Sequence, residues 1–124
     1  MFFDDDRVRD WLDDIITNCE RISTYVNGLT VEQFTADEKT IDAVERCLQR
    51  ISEAAVRIGE ERPRQVAPDL PIQQVRGLGK ILRHHHDRID PKLIWNTAAI
   101  DLAPLRRACE EALSVSGWRA DRLP

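Results

Sequence analysis

Apolar residues recur along this chain every three or four positions, and no stretch alternates with period two. That is the spacing of helices that each bury one side. Val8, Trp11, Leu12, Ile15, Ile16, Cys19, Ile22 and Val26 form the first stripe and predict a helix over 5–26. Aspartates crowd its start, where the helix dipole favours negative charge, and Asn27-Gly28 ends it. Thr30-Val31-Glu32-Gln33 reads as a capping box for a short helical turn. Thr35-Ala36-Asp37-Glu38 reads as a second box, opening a long helix that carries Ile41, Val44, Cys47, Leu48, Ile51, Ala54, Ala55 and Ile58 and stops at Gly59. The small pair Ala54-Ala55 invites close approach by another helix.

Residues 60–70 are polar, contain Pro63 and Pro68, and read as an irregular connection. A third long helix follows from Pro71 to about His86. Asp90-Pro91 caps a last one that reaches about Val115, with Pro104 expected to kink or divide it and Gly117 to end it. The expected architecture is all-α: an antiparallel bundle of four main helices with one short extra helical turn. Residues 1–116 are expected to form a single domain and 117–124 a C-terminal tail.

The third helix is the unusual one. At about 100° per residue, Val75, Leu78 and Leu82 share one side, while Arg76, Lys80, Arg83, His84 and Asp87 share another, within an arc of roughly 100°. Two glycines, Gly77 and Gly79, interrupt it. Each costs about 1 kcal/mol relative to alanine inside a helix, so each calls for a reason, either close approach to a ligand or partner helix or local bending. The net charge of −4 disfavours general coating of nucleic acid, yet 76–88 holds four cations and one carboxylate. Such a strip suits an anion. Arginine offers phosphate a fork of donors, and histidine exchanges protons near neutral pH. Together they could cut a phosphodiester without metal, with the imidazole moving protons and the cations stabilising charge on phosphorus. A merely solvated helix face would show the same residues.

Other chemistry fares worse. His84-His85-His86 point about 100° apart in succession, whereas helical chelation wants partners three or four residues apart, so no metal site and no cofactor are expected. Glu53 could be a buried carboxylate holding Arg76 or Arg83, or simply exposed. Cys19, Cys47 and Cys109 are widely spaced and odd in number, as expected of reduced core thiols in the cytoplasm. No apolar run approaches membrane-spanning length.

Segments 37–48, Ile51-Ser52-Glu53-Ala54-Ala55, Arg76-Gly77-Leu78, the His84 segment, Asp87-Arg88-Ile89-Asp90, Leu93-Ile94-Trp95 and Asp101-Leu102-Ala103-Pro104-Leu105 follow one another along the chain. Taken in that order they resemble the HepT-like branch of the HEPN superfamily. The resemblance covers about residues 7–113. It implies a helical homodimer whose motif helices form a composite RNA cleft, and metal-independent cleavage by a motif histidine and arginine. The implied partner is an MNT-type nucleotidyltransferase antitoxin, which in part of the family adds AMP to a motif tyrosine. The motif is Arg-Asn, three residues, then His-x-Tyr. His84 matches the histidine, whereas Gly79 stands for the arginine, Lys80 for the asparagine and His86 for the tyrosine.

The expected function is therefore that of an endoribonuclease toxin. His84, Arg83 and Arg76 are its candidate catalytic residues, and Lys80, His86 and Arg88 its candidate RNA-binding residues. The alternative is a catalytically impaired HEPN subunit that binds RNA or nucleotide beside the nucleotidyltransferase.

Overall fold

The computed structural model describes residues 5–85 and 89–115. Among these the chain is helical between short connections and has no strand. Helix α1 (Asp5–Val26) buries Val8, Leu12, Ile15, Cys19 and Ile22, the heart of the expected stripe. Beyond it the chain turns at Gly28, whose φ of 80° is the left-handed conformation that glycine adopts without strain. The short helix α2 (Val31–Thr35) begins with the expected capping box: Gln33 N donates to Thr30 Oγ1 at 3.1 Å, and Thr30 N donates to Gln33 Oε1 at 2.9 Å.

The second expected box is not the one used. Helix α3 (Glu38–Ile58) is capped by Asp37, whose carboxylate accepts from Thr40 N at 3.1 Å and Thr40 Oγ1 at 2.7 Å. The Thr40 side-chain bond, followed by its backbone bond, holds the Asp37 carboxyl below its usual range. All eight apolar residues expected on the inner face of α3 are buried. Gly59 closes the helix at φ 73°, its N–H donating to Ala55 O at 3.1 Å.

The connection read as irregular contains a helix, α4 (Glu61–Val66). Pro63 falls in its first turn, where a missing N–H has no intrahelical acceptor to lose. Arg62 on α4 reaches back to fully buried Asp5: Nε donates to Oδ1 at 3.0 Å and Nη2 to Oδ2 at 2.7 Å. This bidentate pair fastens α4 to the start of α1.

Helix α5 (Ile72–His85) packs on α3 through Ile72, Val75 and Leu82. Past Asp90, which caps by accepting from Lys92 N at 2.9 Å, the last helical run is divided. It comprises α6 (Pro91–Asn96), a π-helical turn (Thr97–Asp101) and α7 (Leu102–Ser114). Pro104 acts here not by a simple kink. Its ring removes the N–H that would have bonded the Ile100 carbonyl, and the wider turn just before it absorbs the mismatch. Helix α7 ends at Ser114 with extended Val115 as its cap, ahead of Gly117. It lies along α1, where Arg9 Nη1 donates to Leu113 O at 2.8 Å and Arg106 Nη2 to Glu20 Oε1 at 3.1 Å. Phe34, fully buried, meets Trp95 with ring centroids 5.3 Å apart, joining α2 to α6. Cys19, Cys47 and Cys109 are free and buried, and burial above all pushes Cys19 and Cys109 each up to about 12.

Candidate functional site: the cationic face of α5

Helix α5 is fixed by its apolar side, so its other side is presented outward as the spacing predicts. A hollow of about 350 Å³ opens there, lined by Arg76, Gly77, Lys80 and Arg83 of α5, with Gln73, and by Val56 and Glu60 from the end of α3 and the turn after it. Three of the expected site residues are thus gathered in one place. His84 is exposed one helical turn beyond Lys80, on the same face, and does not line the hollow. His86 and Arg88 lie outside the described residues.

Charge in the hollow is not uniform. Arg76 Nη1 stands 3.8 Å from Glu60 Oε2, and both side chains are part-exposed. This is a loose pair, of small energetic weight. Glu60 occupies the residue before α4 yet makes no side-chain cap there, so its carboxylate serves Arg76 instead. Glu53, the carboxylate considered for that role, is exposed. The sequence held one signal for Glu60: it directly follows Gly59, and a left-handed glycine reverses the chain toward whatever packs beside α3. Among the described residues lining the hollow, three cations stand against one carboxylate, a local excess of positive charge in an acidic chain.

The two glycines of α5 differ. A side chain at Gly77 would meet nothing within 4 Å, and its absence opens the hollow between Arg76 and Lys80. Gly79 is buried, and a Cβ there would collide with the side chain of Ser52 on α3. Of the two reasons offered for glycine, close approach to a partner helix holds at Gly79, a little before the expected Ala54-Ala55 patch. An arginine could not stand at position 79 with Ser52 beneath it. Among the described residues no three His, Cys, Asp or Glu side chains come together as a metal site would require.

The family-wide pattern of ribonuclease HepT-like proteins matches residues 15–112. The chain belongs to the HepT-like ribonuclease family. Relatives include "Probable ribonuclease HepT" of Thermococcus cleftensis, 29% identical over 103 residues that cover 83% of this chain and 93% of the relative. A "Putative RNase" of Methanocaldococcus jannaschii is 34% identical over 89 residues, 72% of this chain and 73% of the relative. Another RNase-named relative, from Caldanaerobacter subterraneus, is 27% identical over 105 residues, 85% and 93% of the two chains. No solved structure matches. On the cationic face of α5 the cations stand at 76, 80 and 83, and position 79 carries no side chain at all.

Proposed function

We propose that this HepT-like ribonuclease is a metal-independent endoribonuclease toxin that works as a homodimer in the cytoplasm, with RNA held in a cleft between the α5 helices of two copies. The observation that carries the reading is the hollow on α5, where Arg76, Lys80 and Arg83 converge one turn from exposed His84. The cations hold the scissile phosphate. His84 takes the 2′-hydroxyl proton, O2′ attacks phosphorus, the P–O5′ bond breaks, and O5′ leaves with a proton returned by an imidazolium. His86 and Arg88 are further RNA-binding residues. An MNT-type nucleotidyltransferase is the antitoxin, and with His86 in place of a tyrosine it inhibits by covering the cleft or by modifying another residue.

Incubation with a tRNA pool in EDTA, beside a His84→Ala control, tests this. Loss of general acid–base catalysis should slow cleavage by about 10²- to 10⁴-fold in the variant while it remains folded. Cleavage by His84→Ala at the wild-type rate would remove His84 from the mechanism. One observation favours a second reading. The site where the family's arginine is expected has no room for a side chain, so the protein could be a binding subunit without catalysis. Under that reading neither protein cuts RNA, and both still bind it.

A further inference from the structure

Gly79 lies at a seam. At about 100° per residue it falls between the apolar side of α5, formed by Val75, Leu78 and Leu82, and the strip formed by Arg76, Lys80 and Arg83. A Cβ placed on it would strike both Cβ and Oγ of Ser52, and would come within 3.2 Å of Arg83 Nη1. Ser52 is fully buried on α3. Rotating Ser52 about χ1 moves Oγ but leaves Cβ in place, so no rotamer relieves the collision, and α5 would have to lift from α3. Arg83 stands one turn further along. Side chains on a helix tilt toward its N-terminus, and this tilt lays the Arg83 guanidinium back beside the bare backbone of Gly79. The same bare position therefore does two things: it seats α5 on α3, and it makes room for a guanidinium four residues on.

The geometry points to Gly79 as a positioning residue, which by seating on Ser52 sets Arg83 in the cationic hollow. Its effect on RNA cleavage rests on the ribonuclease reading, whereas its effect on phosphodiester binding does not.

The test uses the full chain as wild type, Gly79→Ala and Gly79→Ala/Ser52→Gly, and then repeats Gly79→Ala in an Arg83→Ala background. Two functions are measured, cleavage of RNA and low-salt affinity for a 2′-deoxy oligonucleotide, which has no 2′-hydroxyl to attack. Far-UV circular dichroism follows folding. Gly79→Ala should weaken oligonucleotide binding and, by misplacing Arg83 by about 1 Å, slow cleavage by up to about 10²-fold. Removing the Ser52 side chain should restore most of both. With Arg83 already absent, Gly79→Ala should add no further loss of affinity, because the two changes act through one group.

Folded Gly79→Ala that binds as tightly as wild type overturns the inference. So does a folded double variant that binds no better than Gly79→Ala, or an undiminished Gly79→Ala effect without Arg83. If Gly79→Ala fails to fold, the double variant decides: wild-type affinity supports the seat, and weak binding refutes it. A wild-type protein that binds the oligonucleotide but leaves RNA intact would end the ribonuclease reading, and the binding measurements would still judge Gly79.

Discussion

Ser52→Ala should make this protein more stable. The Ser52 side chain is fully buried in the middle of α3, and its Oγ has no hydrogen-bond partner among the described residues. A buried hydroxyl that exchanges water for nothing costs about 1–3 kcal/mol. Alanine also forms helix better than serine, by about 0.5 kcal/mol. Against this stands the space left by one oxygen, about 15 Å³, worth about 0.4 kcal/mol if nothing relaxes into it. The net expectation is a gain of about 1–3 kcal/mol. Unfolding entropy near 2.1 cal/mol/K per residue makes each kcal/mol worth about 4 °C in a chain of this length, so the melting temperature should rise by about 4–12 °C. Urea unfolding followed by circular dichroism gives the cleaner reading, because a true stability gain raises the midpoint and leaves the slope unchanged. Equal or lower stability in Ser52→Ala would refute the reasoning, since it would mean that Oγ makes a bond worth keeping.

Asp5→Asn should cost about 3 kcal/mol, because it leaves Arg62, whose side chain is only 13% exposed, facing a neutral partner; a loss under about 1 kcal/mol in the same urea assay would place the pair with ordinary surface bridges. Stability should also fall in alkali. The thiols of Cys19 and Cys109 stay protonated in the fold up to about 12, while an unfolded chain ionises them from the usual value of 9.0. Above about pH 9 the folded state therefore binds more protons, and stability drops as pH rises, by up to about 1.4 kcal/mol per unit for each thiol. Cys19→Ala should flatten that slope, and an unchanged slope would show that other groups set it. RNA affinity should fall moderately with salt, with a log–log slope of about −4 for six phosphates neutralised on a single strand by the hollows of two copies, and a slope beyond about −7 would mean contact well outside them.

The sequence's hydrophobic spacing was enough to place α1 and α3 because both bury single continuous stripes and both end at glycines with positive φ. Reading the connections was harder, for local reasons. Pro63 looked like a breaker, but in the first turn of a helix proline loses no bond, and α4 is held by a partner 57 residues away that no local pattern reveals. Thr35 and Asp37 both suited a cap. Asp37 prevailed with a carboxylate that accepts two bonds from Thr40, where a hydroxyl at Thr35 instead donates to Glu32 O at 3.1 Å. Pro104 signalled trouble in the last helix correctly, but the remedy, a π-helical turn seated on buried Thr97 and Ala98, depends on packing.

The cationic strip was legible for a geometric reason that also separates its two arginines. Residues four apart on a helix are neighbours, one turn or about 5.4 Å along the axis. A long side chain that tilts toward the N-terminus can cover that distance. The Arg83 guanidinium accordingly lies back beside Gly79. Arg76 cannot do the same, since its tilt carries it the other way, toward the start of α5, where Glu60 meets it at 3.8 Å. Spacing alone made Arg76 and Arg83 equivalent flanks of His84. The folded chain makes Arg83 the cation that covers position 79 and leaves Arg76 partly neutralised at the far end of the hollow, so removing Glu60 would change the charge at Arg76 without touching the seat of Arg83.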